Sequence, residues 1–172
     1  PDVITYLCMM KACSASKNMD QYRTVHHEVV CRGIDVNINV GSTLVHAYAE
    51  CGRLEDARCV FDILPSRNVV TWGAMISAYT QHGLGDLAIK AFNEMQQIGF
   101  KPDEVLFSCV LKGLADIKSF EKGMQMHNQI IIYGFDGDLV LGTALIDMYV
   151  NCRNPSSAHA VFKSLPCQNV IT

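Results

Sequence analysis

The sequence predicts an all-α fold, a right-handed α-solenoid of stacked helix-turn-helix repeats. The first observation behind this is self-similarity. Slid along itself by 101 residues, the chain superposes without a gap, and 20 of 71 pairs are identical. Pro1-Asp2 falls on Pro102-Asp103, His26 on His127, Gly41 on Gly142, Tyr48 on Tyr149, and Leu64-Pro65 on Leu165-Pro166. The second is apolar spacing at helical intervals, and the third is the absence of any sustained alternation that would mark strands. A long-period repeat means an array whose function lies in a surface recurring once per repeat rather than in one pocket.

The period subdivides at three recurring signals. These are a Gly-aromatic or Gly-Ile pair before an acidic residue, a Leu-Pro dipeptide followed by Asn, and Lys101-Pro102-Asp103. Residues 1–2 then close a preceding repeat. Five repeats follow at 3–37, 38–68, 69–103, 104–138 and 139–169, and residues 170–172 open another. In the second repeat Leu44, Val45 and Tyr48 share one helical face. Gly52 breaks that helix, and Glu55 and Asp56 fall in the first turn of the next, where carboxylates favour the positive end of the dipole. The stripe Ala57, Val60, Phe61 and Leu64 follows i, i+3, i+4, i+7, and Pro65 stops it. The third repeat places Trp72, Met75, Ile76 and Tyr79 before a turn at His82-Gly83. Ala88, Ala91, Phe92 and Met95 come next, with Gly99 as a left-handed cap. In the fifth repeat Arg153 replaces the glycine of the turn, and Asn154-Pro155 is expected to interrupt the following helix start.

Composition narrows the function classes. Nearly half of the residues are hydrophobic, yet no apolar run approaches the roughly 18 residues of a membrane span. The net charge of −3 gives no strong general attraction to nucleic acid. No signal or transit pattern is present, so a targeting segment is expected outside this sequence. The eight cysteines contain no C-x-x-C pair. Cys8/Cys109 and Cys51/Cys152 recur in register and read as small buried apolar residues, implying a reducing compartment. The methionines at 9, 10, 75, 95, 124, 126 and 148 read as core fillers, with a soft binding stripe as the alternative. Lys112, Lys118 and Lys122 are the one cationic cluster, either an exposed face or a phosphate contact.

With the repeats drawn, the whole chain resembles the plant-type pentatricopeptide repeat family, in the subclass that alternates three motif lengths. Asn68-Val69-Val70-Thr71-Trp72 with Tyr79-Thr80-Gln81-His82-Gly83 is similar to its regular motif. Gly41-Ser42-Thr43-Leu44-Val45 through Cys51-Gly52 is similar to its short motif, and Val110-Leu111-Lys112 with Gly123 and His127 to its long one. The resemblance implies single-stranded RNA recognition in a mitochondrion or chloroplast, one base per repeat, within RNA processing or C-to-U editing. It implies no cofactor, no metal and no membrane. In the family, the fifth residue of the first helix and the last residue of the repeat read the base. The second residue sandwiches it.

Carried over, the base-reading pairs are Ser42 with Asn68, Gly73 with Asp103, Ser108 with Asp138, and Thr143 with Asn169. The first repeat offers Leu7 with Asn37, and leucine cannot hydrogen-bond a base. Sandwiching positions are Ile4, Asn39, Val70, Val105 and Val140. A hydroxyl with an amide resembles the adenine combination, the hydroxyl donating to the ring nitrogen and the amide supporting the exocyclic edge. The implied target is A-N-N-A, with a guanine-like pair just before the second adenine.

Rival readings are weighed on the same residues. His26-His27-Glu28 and Pro166-Cys167 partly match the deaminase zinc signature, but the second cysteine would fall on Val170. The equivalence of His26 with His127 favours a structural histidine. No catalytic arrangement is expected in this segment; a deaminase domain follows such arrays in some relatives. The alternative function is a protein-binding scaffold of tetratricopeptide type, with peptides or editing accessory proteins as partners. Trp72 and Tyr79 have that family's spacing, but its glycine position is Ile76. The end repeats are expected to expose apolar faces and to favour end-to-end self-association.

Overall fold

The computed structural model describes residues 2–16, 19–34 and 37–166. These form ten α-helices and no strand: α1 (Val3–Ala15), α2 (Met19–Cys31), α3 (Ile38–Glu50), α4 (Leu54–Ile63), α5 (Val69–Gln81), α6 (Gly85–Gln97), α7 (Glu104–Ile117), α8 (Phe120–Ile132), α9 (Leu139–Asn151) and α10 (Pro155–Ser164). The odd-numbered helices start at Val3, Ile38, Val69, Glu104 and Leu139. No helix among the described residues is long and apolar enough to cross a membrane.

The chain divides into two compact bodies, Pro1–Ala78 and Tyr79–Thr172, with the boundary inside α5. In the first, α1 packs on α2 and on α3, and α3 packs on α4. Its core holds Tyr6, Met10, Tyr22, Leu44 and Phe61, and Phe61 meets Trp72 edge-on at 4.7 Å between ring centroids. In the second, α7 packs on α6, α8 and α9, and α9 packs on α10. Phe92, Met95, Phe107, Leu111 and Leu114 fill its interior.

Local chemistry sets the helix ends. Gly33, Gly52, Gly83, Gly99 and Gly134 all follow helices with positive φ, where a Cβ would be strained. Gly41 lies directly beneath the side chain of Leu64, and Gly142 beneath that of Leu165, so any Cβ at either site would overlap the leucine. This packing explains why a glycine and a Leu-Pro dipeptide recur together. A second repeated device joins neighbouring helices: His26 Nδ1 lies 2.7 Å from the Tyr48 hydroxyl, and His127 Nδ1 lies 2.9 Å from that of Tyr149. The histidines are therefore structural.

Three expectations need correction. Cys8 is exposed, and Cys51, Cys109 and Cys152 are half-buried rather than core residues. They lie on the flanks of the stripes filled by larger side chains. Asn154-Pro155 does not interrupt α10. Asn154 accepts a hydrogen bond from Ser157 N at 3.0 Å and Pro155 occupies the first turn, so the pair starts the helix. Met10, Met75, Met95, Met126 and Met148 are buried as expected, but Met9 and Met124 are exposed.

Candidate nucleic-acid interface

Each odd-numbered helix begins with a polar residue whose side chain closes its first turn. Asp2 accepts from Thr5 N at 2.8 Å, Asn37 from Asn39 N at 3.0 Å, Asn68 from Thr71 N at 2.8 Å, Asp103 from Leu106 N at 2.9 Å and Asp138 from Leu141 N at 2.8 Å. The last residue of each repeat is thus the N-cap of the next repeat's first helix. This explains the restriction to Asn and Asp: a short side-chain oxygen is needed to satisfy a first-turn N–H. Capping commits one oxygen and leaves the other polar atom, Nδ2 or the second carboxylate oxygen, for another partner. The backbone and side-chain bonds from Thr5 hold the Asp2 carboxyl below the usual carboxylate range.

Two residues into these helices stands an apolar side chain turned to solvent. Ile4, Val70, Val105 and Val140 are 69%, 68%, 68% and 66% exposed, and the fifth member of the set, Asn39, is exposed too. A β-branched apolar residue thus recurs at one helical position, four times exposed to the same degree.

In the first body these features converge. A cavity of 260 Å³ is lined by Asn39, Ser42 and Asn68, the three residues carried over for the second repeat, and by Val70, the sandwiching position of the third, together with Leu7, Lys11 and Thr43. A larger groove of 480 Å³ shares Lys11, Ser42, Thr43 and Val70 and extends to His46 and Glu50. Ser42 is more covered than the sequence suggests, at 9% exposed. Its Oγ lies 2.7 Å from Ile38 O and 2.7 Å from Thr71 Oγ1.

The remaining predicted residues are more dispersed. Gly73 is half-buried in the first body, whereas Asp103 is exposed in the second. Ser108 and Asp138 are half-buried, and Thr143 is exposed with its hydroxyl donating to Leu139 O at 2.9 Å. Asn169 lies outside the described residues, as does Cys167. Lys112, Lys118 and Lys122 are exposed, and Lys122 is paired with Asp86 at 2.7 Å. No group of three or more metal-ligating side chains gathers among the described residues.

Sequence reasoning missed Lys11, which makes no hydrogen bond or ion pair among the described residues while Arg32, Arg53 and Arg58 each pair with a carboxylate three or four residues away. Its in-register partner Lys112 was the available signal. It also missed Thr71, whose burial depends on how α3 and α5 meet.

The family profile described as the PPR repeat family matches residues 67–116, and that of the single PPR repeat matches 42–69 and 143–170. The chain belongs to the PPR repeat family. A mitochondrial pentatricopeptide repeat-containing protein of Arabidopsis thaliana is 35% identical over 97% of this PPR chain and 26% of its own length. A chloroplastic one is 36% identical over 100% of the chain and 21% of its own length. The chain thus spans about a quarter of the curated relatives it matches. The crystal structure of maize PPR10 matches 98% of the chain and 26% of PPR10 with a TM-score of 0.81 at 20% identity. PPR10 in complex with an 18-nt psaJ RNA element matches 95% of this PPR chain and 24% of that one with a TM-score of 0.80 at 21% identity. This likeness shows the fold, an all-helical repeat array.

Proposed function

We propose that the chain binds single-stranded RNA, with successive repeats each meeting one base, as the site-selecting part of an organellar RNA-processing or C-to-U editing factor. The observation that carries the reading is the cavity at Asn39, Ser42, Asn68 and Val70, in which two polar side chains face a space flanked by the second residues of two consecutive repeats. A base inserted there has an apolar neighbour in Val70 and hydrogen-bonding groups at its edge. That is how unstacked bases are recognised in single-stranded RNA. PPR10, with the same fold, is seen in complex with RNA. The three-length subclass, supported by the motifs and the 35- and 31-residue spacing of the odd-numbered helices, belongs to the same proposal. So does the organelle, supported by relatives named mitochondrial or chloroplastic.

The second repeat is assigned to adenine through Ser42 and Asn68, and the fifth to adenine through Thr143 and Asn169, which gives A-N-N-A. Lys11 lines the cavity without an ion-pair partner among the described residues and is assigned to a backbone phosphate. Fluorescence anisotropy against A-N-N-A RNA and single-base variants tests the reading. Asn68→Asp should move the preference at that base from adenine toward guanine, by a discrimination of roughly 1–3 kcal/mol. Equal binding of matched and mismatched RNA by both proteins would overturn it.

A second reading has one observation in its favour. Ile131 and Ile132, at the end of α8, are 49% and 80% exposed, with Tyr133 beside them at 36%. An apolar group of this kind suits a protein partner, such as an editing accessory protein. Binding of peptide ligands in the same anisotropy experiment, without RNA binding, would favour the scaffold.

A further inference from the structure

At the second position of the five repeats, four side chains are β-branched and apolar, and the remaining one is Asn39. Asn39 is exposed and lines the 260 Å³ cavity beside Ser42, Asn68 and Val70. Its backbone is engaged in the first turn of α3: N donates to Asn37 Oδ1 at 3.0 Å, and O accepts from Thr43 Oγ1 at 2.9 Å. Neither polar atom of its side-chain amide has a hydrogen-bond partner among the described residues. Half-buried Leu7 lines the same cavity from α1.

An amide in this place changes what a nucleotide meets. Apolar contact with a base does not depend on Asn39, because Val70 and Leu7 both line the space. Ser42 and Asn68 are assigned to the base edge and Lys11 to a phosphate, which leaves the ribose without a protein partner. Asn39 precedes Ser42 by three residues, about 4.5 Å along the helix axis, so its amide is displaced from the group that meets the edge. In a nucleotide the ribose lies at the opposite end of the base from that edge. Its 2′-hydroxyl both donates and accepts, and a carboxamide offers an acceptor oxygen and a donor NH2, so the two match in either direction.

We infer that Asn39 is a ribose contact. Its amide binds the 2′-hydroxyl of the nucleotide whose base occupies the second-repeat cavity, and makes that one position selective for RNA over DNA. This inference rests on the RNA-binding reading and replaces the sandwiching role that the family resemblance implies for Asn39. The selectivity is local to the second repeat, because Ile4, Val70, Val105 and Val140 carry no side-chain group able to hydrogen-bond a sugar. The fifth repeat, with Val140 at the equivalent place, is the internal control.

The test uses the 172-residue chain and three A-N-N-A oligonucleotides. One is all ribose, one carries 2′-deoxyadenosine at the adenine assigned to the second repeat, and one carries it at the adenine assigned to the fifth. By fluorescence anisotropy, wild type should bind the second-repeat deoxy oligonucleotide about three- to tenfold more weakly than the all-ribose one, as expected for one lost hydrogen bond. Deoxy substitution at the fifth repeat should change binding by less than about twofold. Asn39→Val installs the residue of the neighbouring repeats and should bring the second-repeat penalty below about twofold, with helicity by circular dichroism unchanged. Asn39→Ala should do the same, which keeps the test decisive should Asn39→Val fold poorly. A wild-type penalty equal at the two adenines, or absent at both, overturns the ribose contact and leaves RNA binding standing. So does a second-repeat penalty that survives in Asn39→Val, or in Asn39→Ala if the former is unfolded. Failure of wild type to bind the all-ribose RNA overturns both readings.

Discussion

The second and fifth repeats share a length and a pattern, yet they complete the same turn with different chemistry. Between the helices of the second repeat stands Gly52 at φ +73°, followed by Arg53, which caps nothing. Between those of the fifth stands Arg153 at φ +57°, followed by Asn154 and Pro155, which start α10 with a side-chain bond and a preset φ. The backbone turn is the same, and α4 and α10 each run ten residues. The fifth repeat thus places a strained residue beside two favourable ones. A repeat fold fixes the path of the chain and lets each copy reach it with its own residues, provided the local free energies offset one another.

The comparison is broken most strongly where both repeats do the same thing. Gly41→Ala and Gly142→Ala each force a methyl against a leucine, Leu64 or Leu165, and should each cost about 1–3 kcal/mol by urea denaturation. A large cost at one site and none at the other would show that the two hairpins pack differently. At the turn the repeats should respond with opposite signs. Arg153→Gly should stabilise by about 1 kcal/mol and Gly52→Arg destabilise by a similar amount, because only an L side chain is strained at positive φ. Equal signs would rule out backbone strain as the cause.

Two smaller effects sharpen the contrast between the bodies. Lys11→Ala, in the first, should reduce the salt dependence of RNA binding by about 0.7 in slope, the value for one phosphate on a single strand. Lys90→Ala makes the same charge change outside the cavity and should leave the slope unchanged. In the second body, burial holds the pKa of His127 below the ordinary histidine value. The unfolded chain therefore takes up this proton first as pH falls. The stability present above the ordinary value should decline through pH 6 and below as the folded state approaches its own lower pKa. His127→Gln should flatten the change in urea midpoint between pH 7.5 and pH 5.5. A wild-type midpoint that rises on acidification in step with the variant would discount the buried imidazole.

Much of the helical architecture was legible because it rests on local rules. Apolar residues at i, i+3 and i+4 placed the stripes, and glycines marked the left-handed turns. The 101-residue self-match pointed to His26 and His127 as structural, and the structure supplies the reason in the hydroxyls of Tyr48 and Tyr149. What misled was burial at the margin of a stripe. Periodicity identifies the face of a helix but not where its edge falls, so exposed Cys8 and half-buried Cys51 were read as core. Asn154-Pro155 was read as a break because proline opposes a helix interior, whereas at the first turn its missing N–H has no bond to lose.

By itself the sequence determined the helices, their caps and turns, and the recurring exposed position at Ile4, Val70, Val105 and Val140, since each of these depends on residues within one or two turns of one another. Only the tertiary structure decided that Asn39, Ser42, Asn68 and Val70 share a cavity with Lys11, and that Thr71 is buried against Ser42, 29 residues away in the chain. Contact between side chains on two different helices is set by how those helices pack, and no spacing along a single strand of sequence encodes it.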